Sequence, residues 1–212
     1  VRKANMKGLG PNNDGCNPES SRNVLIEDSL FDTGDDCIAI KSGRNADGRR
    51  LDVPSERIVV RGCEMRAGHG GVTIGSEVSG SVRDVFVEDT RMSSPELDRG
   101  LRIKTNAMRG GVIENVFVRD VEIGAVGSAI DVNMQYEEGA DGDFLPIVRG
   151  IRVERLVVHR SRRALALRGL VAAPVRDILI RDSTFHSVSE PSVVEHVADL
   201  RLKNVELGAS TE

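Results

Sequence analysis

The sequence predicts an all-β chain, a right-handed single-stranded parallel β-helix in which short strands stack coil upon coil. Three observations predict it. A short alternating segment led by a polar residue recurs along the chain: Asn23-Val24-Leu25-Ile26, Arg57-Ile58-Val59-Val60, Asp84-Val85-Phe86-Val87, Asn115-Val116-Phe117-Val118, Gly150-Ile151-Arg152-Val153, Asp177-Ile178-Leu179-Ile180 and Asp199-Leu200-Arg201-Leu202. The steps between copies are irregular but fall in the range of stacked repeats. A second alternating segment follows the first in the same order, marked by the apolar pairs Ile38/Ile40, Val72/Ile74, Leu101/Ile103, Ile130/Val132 and Leu165/Leu167. Finally, the apolar positions run at period two, β-branched residues are frequent, and Gly or Asp punctuates each segment, all of which disfavour a helical repeat.

Successive side chains alternate across a strand, so the residue between each apolar pair faces away from the coil interior. Those residues are Ala39, Thr73, Arg102, Asp131 and Ala166. The inward ladders bury against the coils above and below, and a lone coil would have nothing to bury against. With no Pro/Ser-rich linker and no change in charge character, residues 1–212 are expected to form one domain. The opening residues read as the middle of a coil. The chain is therefore expected to be the C-terminal part of a longer β-helix, lacking its N-terminal coils and cap, with an open apolar end.

Composition narrows the partners. The net charge is −4 with acidic and basic residues interleaved, so no field gathers nucleic acid or an anionic membrane, and a polyanion would have to be held locally. There is no Trp and a single Tyr, Tyr136, which suits thin aliphatic ladders and removes the usual aromatic sugar platforms. No apolar run approaches a membrane span. Cys16, Cys37 and Cys63 are an odd number without metal spacing, read as thiols packed in or beside the stack, with one disulfide left open. No metal or other cofactor is expected.

The chemistry lies in one column. Gly34-Asp35-Asp36-Cys37-Ile38-Ala39-Ile40-Lys41-Ser42 aligns without gaps on Gly68-His69-Gly70-Gly71-Val72-Thr73-Ile74-Gly75-Ser76, and Gly100-Leu101-Arg102-Ile103-Lys104-Thr105 continues its last part. On successive rungs about 4.8 Å apart, Asp35 would sit beside His69, with Arg102 and Lys104 one rung further. Asp14 falls about one coil before Asp35 and Asp36. Three carboxylates would then converge on one patch where they cannot all ionise independently. Each element has a plainer reading: Gly-Asp-Asp as a solvated turn, His69 as a surface turn residue between glycines, Arg102 and Lys104 as ordinary outward charges. Their convergence argues for an enzyme.

Four motifs in order, Asn12-Asn13-Asp14-Gly15, Gly34-Asp35-Asp36, Gly68-His69-Gly70 and Arg102-Ile103-Lys104, resemble those of family-28 glycoside hydrolases, the polygalacturonase family. Gly75-Ser76-Glu77 and Gly110-Gly111 resemble its bacterial branch. The resemblance covers Asn12 to about Tyr136, the active-site coils (about 12–136), after which only the repeat continues. Asn13 stands where the family usually has Thr; with Asn12 and Asp14 kept, the change is expected to be tolerated.

The resemblance implies hydrolysis of α-1,4-galacturonosidic bonds by general acid–base catalysis with inversion. Asp35 resembles the acid that protonates the glycosidic oxygen, and Asp14 and Asp36 the pair that activates water. His69 is implied to hydrogen-bond the acid or the sugar, with Gly68 and Gly70 letting backbone approach the substrate. Arg102 and Lys104 are implied to bind the sugar carboxylate, and Tyr136 to contact substrate or to pack. A one-rung spacing alone would suggest retention, since inverting pairs stand about 6.5–9.5 Å apart. The implied partner is an acidic polysaccharide or oligogalacturonide, met by a monomer in a secreted or periplasmic setting. Two alternatives stand beside this: a binding or structural β-helix whose ions only hold coils together, and a pectate lyase using calcium and an arginine base.

Overall fold

The polar residue that leads each first segment is a corner. In the computed structural model, which describes residues 12–137 and 139–210, Asn23, Arg57, Asp84, Asn115, Gly150, Asp177 and Asp199 all have φ between 53° and 70°. A second column of corners, Asp28, Gly62, Asp89, Asp120, Arg155, Asp182 and Asn204, has φ between 47° and 62°. Asn and Asp tolerate this left-handed region better than other side chains, so most corners of the coil are written in short polar residues. The opening residues read above as the middle of a coil, 1–11, lie outside the described residues.

Between corners lie β1 (Arg22–Glu27), β2 (Leu30–Phe31), β3 (Ile38–Ile40), the short helix α1 (Asn45–Leu51), β4 (Ser55–Arg61), β5 (Glu64–Met65), β6 (Val72–Gly75), β7 (Val82–Glu88), β8 (Arg91–Met92), β9 (Arg99–Lys104), β10 (Val112–Asn133), β11 (Ile147–Arg168), β12 (Val175–Val188), β13 (Val193–Glu195) and β14 (Val197–Ala209). All of the pairing between them is parallel. The first face runs in register from Val24 through Ile58, Val85, Val116, Ile151 and Ile178 to Leu200. The second runs Ala39, Thr73, Arg102, Asp131, Ala166 and then Val193. Both ladders follow the order of the sequence repeats, and the chain is a right-handed parallel β-helix.

Three features differ from the sequence reading. Each coil carries a third short face, where Leu30 pairs with Glu64, Glu64 with Arg91 and Arg91 with Glu122. At two residues per strand it is too brief to show a period, and in β10 and β11 it is absorbed into strands that pass through the corners. The helix α1 interrupts the repeat between β3 and β4. Last, the residues facing away from the interior are not exposed: Ala39 and Thr73 are fully buried, and Arg102 and Asp131 nearly so. Side chains from the preceding turns, Asp36 above all, fold over this face.

The core is a set of aliphatic ladders, for example Ile40, Ile74, Ile103, Val132 and Leu167, each almost wholly buried. Burying one such side chain is worth about 1.5–3 kcal/mol, and the repeat supplies one per rung. The loops that follow the second face are tied together. Arg49 of α1 donates to the carbonyl of Met108 at 2.7 Å and lies 3.4 Å over the Phe144 ring. Arg109, fully buried, donates to Asn45 Oδ1 at 2.7 Å and to Glu137 Oε2 at 3.2 Å. Three coils thus contribute one wall beside the charged column.

Candidate active site

The turn entering β3 presents Asp35 and Asp36 on neighbouring positions, and the segment 12–15 of the preceding coil lies against it. Gly15 N–H bonds to the Asp36 carbonyl at 3.0 Å, and Asp35 N–H to the Asn13 carbonyl at 3.3 Å. It is the backbone of Asn13 that makes this contact with the turn, and a backbone carbonyl is available whichever side chain occupies the position. As a result Asp14, Asp35 and Asp36 each bring a carboxylate oxygen within 4.8 Å of the others.

Their surroundings differ sharply. Asp36 is 1% exposed. Its Oδ1 accepts from Thr73 Oγ1 at 2.8 Å and from Arg102 Nη1 at 3.0 Å, and its Oδ2 from Lys104 Nζ at 2.9 Å. Asp14 is also buried; its Oδ2 accepts from Asn17 Nδ2 at 2.7 Å and stands 3.6 Å from Lys41 Nζ. Asp35 is the more open of the three, and its Oδ1 meets its neighbour's N–H at 2.8 Å and His69 Nδ1 at 3.1 Å. His69 itself is exposed at 53% of its side chain. The imidazole is placed by its backbone, since His69 N–H bonds to the Asp35 carbonyl at 3.1 Å.

Two glycines make room for the network. A Cβ on Gly70 would collide with Thr73 Oγ1 and lie 2.9 Å from Asp36 Oδ1 and 3.2 Å from Arg102 Cδ. Gly75, at φ 109°, separates two rungs of the column, and a Cβ there would strike the Lys104 carbonyl. Arg102 and Lys104 both pair with Asp36. Tyr136 covers the pair, its ring 5.5 Å from the Arg102 guanidinium carbon and 5.1 Å from Lys104 Nζ. All seven residues singled out in the sequence therefore lie in one continuous cluster.

A family model described as glycosyl hydrolases family 28 matches residues 2–160. The chain belongs to this family. A probable polygalacturonase of Vitis vinifera is 32% identical over 189 residues, covering 87% of this chain and 38% of that protein. An exo-poly-alpha-D-galacturonosidase of Dickeya chrysanthemi is 31% identical over 60% of this chain and 21% of its own length. Among solved structures, the hyperthermoactive exopolygalacturonase of Thermotoga maritima superposes with TM-score 0.88 at 40% identity, over 96% of this chain and 45% of that one. The polygalacturonase of Erwinia carotovora, at 24% identity and TM-score 0.58, shares the fold. The chain spans less than half the length of each of these relatives.

Two residues of this family-28 site escaped the sequence reading as site residues. Lys41 lies between Asp14 and Glu77, 3.2 Å from Glu77 Oε2. The signal was present, because Lys41 aligns with Gly75, and Gly75 pairs with Lys104. Asp131 continues the column beyond Arg102 and pairs with Arg99 at 3.3 Å. Burial pushes its carboxyl above the usual aspartate range, against the pull of Arg99 and Arg102. The cysteines are free thiols, so the disulfide left open by the sequence is not formed.

Proposed function

We propose that the protein hydrolyses α-1,4-galacturonosidic bonds of polygalacturonate or its oligosaccharides by general acid–base catalysis with inversion. The observation that carries this is the unequal pairing of the three carboxylates. Asp36 is locked between two cations and a hydroxyl, and Asp14 has its own ammonium and amide. Asp35 is the more open, with His69 as its ion partner among the described residues. Unequal partners on neighbouring carboxylates suit them to different roles, acid and base.

In the proposed reaction Asp35 gives its proton to the glycosidic oxygen as the C1–O bond breaks. A water held by Asp14 and Asp36 forms the new C1–O bond and releases its proton to that pair, so charge and atoms balance. A nucleophilic carboxylate would need a free oxygen aimed at C1. Asp36 already accepts three hydrogen bonds, two on Oδ1 and one on Oδ2, of about four that a carboxylate can accept. It can still accept from a water through Oδ2 but is pinned away from attack on C1, which favours a water in spite of the short carboxylate spacing. Arg has five donors and Lys three, so each cation that holds Asp36 retains donors for a sugar carboxylate. We further propose that the protein acts as a monomer in a secreted or periplasmic setting, where a polymeric substrate is met.

The donor set disfavours a calcium-dependent lyase. Calcium takes 6–8 oxygens, and Asp36 already spends both of its oxygens on Thr73, Arg102 and Lys104. The test is the product formed from polygalacturonate in the presence of chelator. New reducing ends with no unsaturated, ultraviolet-absorbing product support hydrolysis. An unsaturated product that vanishes with chelator would establish a lyase, and binding without turnover a non-catalytic module.

A further inference from the structure

The charge balance of the site includes a cation outside the motifs. We propose that Lys41, held in place by Glu77, is the positioning residue for Asp14, keeping it ionised and oriented to take the proton of the attacking water; this rests on the hydrolytic reading above.

Lys41 is fixed at its backbone from both sides. Its N–H donates to the Pro18 carbonyl at 2.9 Å, while its own carbonyl accepts from Ser20 N–H at 3.0 Å and from Ser55 Oγ at 2.6 Å. From that anchor the ammonium reaches Glu77 Oε2 at 3.2 Å and Asp14 Oδ2 at 3.6 Å. The charged groups around it are Asp14 on the preceding coil, Asp36 on its own coil and Glu77 on the next. Burial alone works against the ammonium, but Glu77, followed by Asp14 and Asp36, outweighs it and holds the pKa above the ordinary lysine value.

The column explains why two lysines divide the work. Lys41 follows Ile40, which pairs with Ile74, and Gly75 pairs with Lys104. The rung between the lysines therefore has no side chain. Lys104 reaches Asp36 and Lys41 reaches Asp14. Each carboxylate proposed to handle water thus has its own ammonium, whereas the proposed acid, Asp35, is partnered by His69. A cation beside a base weakens it in exchange for keeping it charged. That exchange is useful where the neighbouring acid must be protonated while the base is not.

The test compares Lys41→Met, Lys41→Arg and Glu77→Gln with the unaltered protein by two readouts. In turnover of polygalacturonate, Lys41→Met is expected to lose kcat on the order of tenfold or more, with KM nearly unchanged, and its acidic limb should move to higher pH. Lys41→Arg should restore the limb and Glu77→Gln should fall between. In 13C carboxyl NMR, which needs no turnover, the Asp14 resonance should titrate at higher pH in Lys41→Met. An unmoved limb and an unmoved resonance would overturn the proposal, as would a rise in KM alone, which would make Lys41 a substrate ligand. An unaltered protein without hydrolytic activity would sink the hydrolytic reading, while the NMR comparison would still decide whether Lys41 governs Asp14.

Discussion

The Lys104 ammonium stands 2.9 Å from Oδ2 of Asp36, although the two residues are 68 positions apart in the chain. The contact spans two coils: Asp36 enters β3, β3 pairs with β6, and β6 pairs with β9, where Lys104 is the last residue. With Arg102 beside it, Asp36 carries two cations on one carboxylate and is almost fully buried. A buried charge is tolerated only when paired, so the site and the stacking of the coils depend on the same bonds.

Removing one cation should therefore cost both stability and turnover. Breaking a buried ion pair from one side typically costs about 3–5 kcal/mol. Lys104→Met is expected at the low end, because Arg102 and Thr73 still hold Asp36. Adding Asp36→Asn to Lys104→Met should cost less than the sum of the two single losses, since Asp36→Asn alone leaves both Arg102 and Lys104 without their carboxylate and the double variant only Arg102, and it should restore none of the activity. Urea denaturation of the two single variants and the double variant measures the coupling. Strictly additive losses would show that the contact contributes little.

Gly70→Ala should damage the site more than the fold. The new methyl would press on Thr73 Oγ1 and stand 2.9 Å from Asp36 Oδ1, displacing the hydroxyl and Arg102 from the carboxylate. A displacement near 1 Å can cost about 10²-fold in rate. Steady-state kinetics with an unchanged circular dichroism spectrum is the expected pair of results. Wild-type kinetics would mean that the network tolerates the shift.

The cysteines separate by burial. Burial, opposed by the Thr33 hydrogen bond and aided by Asp36 and Asp32, pushes the Cys37 thiol up to about 12. Burial also raises Cys63, and Cys16 is half-buried. In a native titration with a thiol reagent at pH 8, Cys16 should react first, with Cys37 and Cys63 reacting only on unfolding. The sign for stability follows. Above the ordinary thiol value of 9.0 the unfolded chain gains by ionising Cys37 and the folded chain does not. Stability should therefore decline from about pH 9 upward, and Cys37→Ser should flatten that decline.

Much of this was legible in the sequence, for a physical reason. In a solenoid, residues one coil apart become neighbours, so aligning Gly34–Ser42 on Gly68–Ser76 states contacts directly, and the observed register is the aligned one. The polar leads of the first segments proved to be left-handed corners. What escaped was either short or conditional on side-chain direction. The two-residue third face has no period to detect. Helix α1 sits in a loop whose packing comes from Arg49, Arg109 and Phe144, distant in sequence. That Arg102 and Lys104 turn toward Asp36 depends on the empty places at Gly70 and Gly75, and an alignment of residue types does not show which way a long side chain bends.

The central claim is that Asp35, the carboxylate without a lysine or arginine partner among the described residues, delivers the proton that cleaves the glycosidic bond. The most direct measurement is reducing-end release from polygalacturonate at mildly acidic pH, with chelator present, by the protein and its Asp35→Asn variant. Loss of about 10²–10⁴-fold in kcat, with the variant folded and still binding substrate, is the predicted result. A variant that turns over within a few-fold of the unaltered protein would contradict the assignment and with it the division of labour among the three carboxylates.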